Sequence, residues 1–186
     1  MLDRTVRWDS LEAKGLEHLR IWADGETLHV ESVVIGTRGG NPYGFSYRMV
    51  LGDSWRARLV EIHRTGPEPT IVMQSDGNGN WHDGRGIPLD AITGCIDVDI
   101  AATPFTNTLP IRRLGLAAGE TAEITTAYVP LPGLEPEPAQ QRYTCIEPMA
   151  RYRYEGLYRG FETELTVDSD GLVIEYPGIF RQVAGI

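Results

Sequence analysis

The dominant pattern along the chain is two-residue alternation of apolar and polar positions, with β-branched and aromatic residues in the apolar phase. Phe161, Thr163, Leu165 and Val167 alternate with Glu162, Glu164 and Thr166, which predicts a half-buried strand. Phe45, Tyr47, Met49 and Leu51 do the same against Ser46 and Arg48, and Trp55, Ala57 and Leu59 against Arg56 and Arg58. Further strands are expected over 28–35, 70–75, 122–129, 141–147 and 172–176. Clusters of Gly, Asp and Asn at 51–54, 76–80, 118–120 and 168–171 separate these runs. Such residues tolerate positive φ and join adjacent antiparallel strands. The segment 10–22 fits a short helix or a strand, with Gly15 and the Leu19-Arg20-Ile21 alternation leaning towards strand. Four prolines between Pro130 and Ala139 rule out a central strand there and predict an exposed, polyproline-like connection. The fold class expected is mostly β and antiparallel, with at most one or two short helices.

Two stretches match each other. Tyr47 and Tyr152 sit 105 residues apart in Ser46-Tyr47-Arg48 and Arg151-Tyr152-Arg153, and Trp55 and Phe161 sit 106 apart at the head of the next alternating run. The spacing hints at an internal duplication of a long-stranded meander.

Composition narrows the function. The chain has 186 residues, the length of a single domain spanning 1–186. Its formal charge of −9 argues against a nucleic-acid or anionic-membrane binder, which needs a cationic footprint. No run approaches 18 apolar residues and no secretory pattern is visible, so a cytoplasmic location without a membrane span is expected. Cys95 and Cys145 are then expected as buried free thiols. Lys14 is the only lysine among the 17 cations; the rest are arginine.

The segment richest in chemistry is Gly94-Cys95-Ile96-Asp97-Val98-Asp99-Ile100, followed by Thr103-Pro104-Phe105-Thr106-Asn107-Thr108-Leu109-Pro110-Ile111-Arg112-Arg113-Leu114. In a strand Asp97 and Asp99 face the same side, and Ile96, Val98 and Ile100 the other. In extended chain Arg112 and Arg113 point to opposite faces, and an arginine fork onto Asp97 or Asp99 would fix the segment. It reads either as a polar crossover whose side chains cap its own backbone or as a ligand contact surface. No nucleophile elbow, zinc-binding helix or phosphate loop is present. His63 or His82 with Asp97 or Asp99 is the catalytic or metal alternative. No cofactor and no metal are called for. Tyr128, Tyr143, Tyr152, Tyr154, Tyr158 and Tyr176, with Trp55 and Trp81, fall mostly in predicted strands beside arginines. Their apolar faces with one polar handle suit a cavity for an amphiphile or sugar.

These strings, with Trp55-Arg56-Ala57-Arg58, Asp76-Gly77-Asn78-Gly79-Asn80-Trp81, Gln141-Arg142-Tyr143, Tyr152-Arg153-Tyr154, Asp170-Gly171-Leu172-Val173 and Tyr176-Pro177, carry a family resemblance. The chain resembles the putative glycolipid-binding family of small bacterial proteins. The resemblance implies a spiral β-roll, similar to the open half-barrel sheets of bacterial lipoprotein carriers. It implies glycolipid binding only by analogy of fold, and brings no catalytic residues with it. The expected ligand-binding residues are Trp55, Arg58, Trp81, Asp97, Asp99, Thr106, Asn107, Arg112, Arg142, Tyr143 and Tyr154. The expected partner is a glycolipid or other amphiphile, its tail on inward aromatic and aliphatic side chains and its head at the rim. The alternatives are a small enzyme on a sugar-like substrate, or an interaction scaffold or homodimer without a ligand. The oligomeric state is open.

Overall fold

A computed structural model describes residues 2–66, 70–131, 133–158 and 160–183. Alternation becomes a single fourteen-stranded sheet. Its first seven strands are β1 (Asp3–Ser10), β2 (Gly15–Asp24), β3 (Thr27–Arg38), β4 (Asn41–Leu51), β5 (Ala57–Arg64), β6 (Ile71–Ser75) and β7 (Trp81–Asp83). The remaining seven are β8 (Asp97–Ile100), β9 (Thr121–Val129), β10 (Glu137–Glu147), β11 (Arg151–Gly156), β12 (Phe161–Val167), β13 (Val173–Tyr176) and β14 (Phe180–Gln182). The order across the sheet is β7-β6-β5-β4-β3-β2-β1-β14-β13-β12-β11-β10-β9-β8. The chain starts at the centre, steps outward to the β7 edge, crosses to the β8 edge and steps back until β14 pairs with β1. All pairings are antiparallel except β8 with β9, and the sheet does not close.

One face carries the core. Val6 and Trp8, Leu19 and Ile21, Phe45, Tyr47 and Met49, and Tyr152 and Tyr154 all follow the two-residue phase inward. Their neighbours Arg151 and Arg153 point outward and pair with Glu164 and Glu162. Tyr47 and Tyr152 both lie on the fourth strand of a seven-strand run, but Trp55 sits in a turn whereas Phe161 opens a strand.

Three expectations change. Trp55 does not begin β5: Asp53–Trp55 form a 3-10 turn in which Ser54 and Trp55 have φ of 54° and 62°. The proline-rich stretch is not simply an exposed connection, because Leu131 and Leu134 are buried in the core and Glu137 and Pro138 already pair with β9. The string from Thr103 is not an extended crossover. It forms a 3-10 turn (Phe105–Asn107) that runs into α1 (Thr108–Leu114), the only α-helix among the described residues. Pro110 falls in the first helical turn, where a missing N–H costs little. Gly115 stops the helix with φ +56° and ψ +38°. This plug is buried against the inner face of the sheet.

The crossing from β7 to β8 is held at a close approach. The Trp81 indole donates to the Cys95 carbonyl at 2.6 Å, and Gly94 N–H to the Gly79 carbonyl at 2.9 Å. Gly79 has φ +90°, and a Cβ there would lie 2.7 Å from Gly94 Cα, which is backbone and cannot swing aside. Gly79→Ala therefore combines left-handed strain with a backbone clash. It is expected to cost about 2 kcal/mol in a denaturant titration, against under 0.5 for an ordinary surface site.

Candidate functional site

Burial makes the plug's polar residues satisfy themselves. Thr103 Oγ1 accepts from Phe105 N–H at 3.0 Å, and Thr106 Oγ1 accepts from Ile100 N–H at 3.3 Å. The Thr108 hydroxyl donates to the Gly171 carbonyl at 2.9 Å. Two further contacts reach forward: the Thr106 hydroxyl donates to Asp99 Oδ1 at 3.2 Å, and the Asn107 amide to the Tyr143 hydroxyl at 2.9 Å. Gln141 donates to Asp99 Oδ2 at 2.7 Å. Asp99 and Asn107 are thus held in fixed orientations at one end of the plug.

There an open cleft of about 440 Å³ lies on the inner face of β8–β14. Thr103, Asn107, Ala101, Ile100 and Asp99 form its floor, and Tyr128, Tyr154, Tyr176 and Phe180 its walls. Tyr158, Phe161, Ile179, Glu12 and Arg38 stand round its mouth. Four rings form one cluster, with Tyr154 to Tyr176, Phe161 to Tyr176 and Tyr176 to Phe180 each having centroids 6.1 Å apart, and Tyr128 and Tyr158 form a separate pair, also 6.1 Å apart. Burial, then the nearby Tyr154 and Asp99 charges, keeps the Tyr176 phenol protonated far above its ordinary range. A smaller hollow of about 240 Å³ adjoins the cleft and shares Glu12, Arg38, Ala101, Ile179 and Phe180 with it. The cleft volume falls in the range of small-molecule sites.

Of the residues singled out from the sequence, Asp99, Asn107 and Tyr154 line this cleft, and Thr106 and Tyr143 stand directly behind it. The others lie elsewhere. Asp97 is buried in a two-pronged ion pair with Arg113, Nε to Oδ1 at 2.9 Å and Nη2 to Oδ2 at 2.5 Å. Asp97 itself is therefore covered and not at a rim, while Asp99, two positions on along the same side of β8, reaches the cleft. Arg112 lies over the Trp55 ring at 4.9 Å, since on a helix it turns about 100° from Arg113 rather than to the opposite face. Arg58 packs against Gly52 and Gly77 and donates to the Asp76 carbonyl. Trp81 is a buried brace, and Arg142 pairs with Glu123 and Glu155 on the face opposite Tyr143. The histidines do not join the acids: His63 bonds Thr70, and His82 bridges Pro88 at the β7 edge. Among the described residues no group of three or more His, Cys, Asp or Glu could hold a metal. Cys95 and Cys145 are free and buried, and burial, then Asp97, pushes the Cys95 thiol up to about 11. Nor is the plug an exposed, flat loop of the kind a scaffold would present.

Sequence reasoning missed Glu12, Arg38, Thr103, Phe161 and Phe180. It also missed Glu17 on β2, which is buried beneath the plug. Its Oε1 accepts from the Ser32 and Tyr47 hydroxyls, each at 2.7 Å, while Oε2 has no hydrogen-bond partner. The Tyr47 hydroxyl also lies 3.2 Å from Thr103 Oγ1, so this network reaches the cleft floor. The signal was available: Glu17 occupies the same phase as Leu19 and Ile21.

The fold and site together define an open, meandering β-sheet protein with a ligand-sized aromatic cleft on its inner face. Residues 5–182 match the family described as "Putative glycolipid-binding", and the chain belongs to that family. A crystal structure of a DUF1089 family protein from Pseudomonas aeruginosa is 37% identical, covers 90% of this chain and 92% of its own, and superposes with a TM-score of 0.78. Comparison with curated proteins gives no match. No helix among the described residues is long and apolar enough to cross a membrane.

Proposed function

We propose that the whole chain acts as one binding domain that holds a glycolipid-like amphiphile in the cleft. The observation that carries this reading is the cleft itself: about 440 Å³, lined by six aromatic rings, four on its walls and two at its mouth, and floored by oriented polar groups. Large apolar surface with a few convergent polar groups is what a small-molecule site requires. The family's description agrees with the reading. The test is native mass spectrometry of protein purified gently from the bacterium that makes it. An extra mass released on denaturation is expected. Phe161→Arg, at the exposed mouth, is expected to lower occupancy at least tenfold with an unchanged circular dichroism spectrum. A bare wild-type mass, together with no uptake of added octyl glucoside, rejects the reading.

A further inference from the structure

The cleft has a direction. At its floor Thr103 and Asn107 are 4% and 6% exposed; at its mouth Tyr158 and Phe161 are 48% and 37% exposed. The deepest polar groups are the Thr103 hydroxyl and the Asn107 amide, with the half-buried Asp99 carboxylate beside them, whereas the exposed rings of Tyr158 and Phe161 stand at the mouth together with Glu12 and Arg38. The inner face beyond the floor is filled. Phe105 and Leu109 of the plug are fully buried in the same packed cluster as Trp8, Val30 and Met49. At about 30 Å³ per water-sized group, the cleft takes roughly fifteen such groups. Even with the adjoining hollow of about 240 Å³, that is a sugar ring and a short run of further atoms, and it leaves no room for a pair of long acyl chains. Charge is asymmetric too. Among the described lining residues Asp99 and Glu12 are anionic and Arg38 is the one cation, at the mouth.

Building on the amphiphile reading, we propose that the ligand enters head-first. An uncharged, hydroxyl-rich head group of about one sugar ring sits on the floor, and the chain leaves past Tyr158 and Phe161 without entering the sheet. Asp99, braced by Thr106 and Gln141, accepts from hydroxyls of the head. Asn107 adds a polar contact beside it, and the ring's C–H face lies against the tyrosines. An anionic head meets the Asp99 carboxylate where it would need a cation, so phosphorylated heads are rejected. The chain contributes only where its first few methylenes touch the mouth.

The test is calorimetric titration of the full chain with methyl, pentyl, hexyl and octyl β-glucoside below their micelle concentrations, and with hexyl phosphate. Affinity is expected to rise from methyl to pentyl and then stay within twofold to octyl. Hexyl phosphate is expected to bind at least tenfold more weakly than hexyl glucoside. Tyr158→Ala is expected to weaken hexyl glucoside about threefold while leaving methyl glucoside unchanged. Continued growth to octyl of about fourfold per methylene, the increment for full burial, would place the chain inside the fold and overturn the orientation. Equal binding of hexyl phosphate and hexyl glucoside overturns the head-group assignment. In both cases the amphiphile reading stands; only the absence of binding across the whole series removes that reading as well.

Discussion

Arg113→Met is expected to destabilise the protein by about 4 kcal/mol. The substitution leaves the Asp97 carboxylate buried with its two-pronged partner gone. Removing one member of a buried ion pair typically costs about 3–5 kcal/mol, because the remaining charge stays desolvated. For a chain of this length each kcal/mol lowers the melting temperature by about 2–4 °C, so a fall of roughly 8–16 °C is expected in calorimetry. The double variant Asp97→Asn with Arg113→Met leaves no charge behind and is expected to lose less than Arg113→Met alone. An exposed pair such as Arg151 with Glu164 provides the contrast, at under about 1 kcal/mol. If Arg113→Met behaves like that surface pair, the fork does not anchor the plug.

Glu17 governs a second large effect, one that depends on pH. Burial is the main cause of its displacement, and the nearby hydroxyls of Thr103, Tyr47 and Ser32 only partly offset it, leaving the carboxyl pushed up from 4.5 to about 7. The same burial, with the Glu17 charge, drives the Tyr47 phenol well above its ordinary range, so Tyr47 remains a donor throughout. Between pH 4.5 and 7 the folded chain holds a proton that the unfolded chain has released. Stability from this group is therefore full below pH 4.5 and is lost as pH rises through about 7. A displacement of this size corresponds to about 3 kcal/mol. Glu17→Gln keeps an acceptor for Ser32 and Tyr47 without a charge. Relative to wild type, it should gain about 3 kcal/mol between pH 4.5 and pH 8 in urea titrations. Parallel pH curves for the two proteins would show that Glu17 does not titrate in the folded state. The groups nearest to it are Ser32, Tyr47 and Thr103, with Tyr43 feeling its charge, so few other ionisations can mimic the signal.

Most of the sheet could be read in advance because alternation is a local property. The run from Phe161 to Val167 is a strand with the expected bounds, and the doubtful segment 10–22 resolves into the end of β1, a turn and most of β2. The plug could not be read this way. Seven helical residues are too few for a helical period to stand out, and the burial of Thr108, Leu109, Pro110 and Ile111 in succession leaves the first turn no exposed polar face to define one. Trp55 fitted the alternation of β5, yet its place is set by Arg112 stacking on it, a contact between residues 57 positions apart that no local pattern encodes. The site was legible in part for the same reason. Asp99, Asn107 and Tyr154 sat in strings dense with polar or aromatic residues. Phe161 reads as an ordinary strand residue and Phe180 falls outside every expected strand, and only the return of β14 to the centre brings Phe180 against Tyr176. Arg142 is expected from the sequence as a ligand contact, but its carboxylate partners lie on neighbouring strands.

The pairing of the first strand with the last has a consequence for synthesis. Strands β1 to β7 form by successive hairpins and can assemble as soon as they emerge. The outer edge of β1 then stands with its N–H and C=O groups unpaired until residues 180–182 appear, some 170 positions later. An open edge invites pairing with other chains. Arg4, Arg7 and Asp9 on that strand place charges along it during the wait. The newly made protein is thus most vulnerable to aggregation between the completion of β1 and the arrival of β14, and a truncation before Phe180 would make that vulnerability permanent.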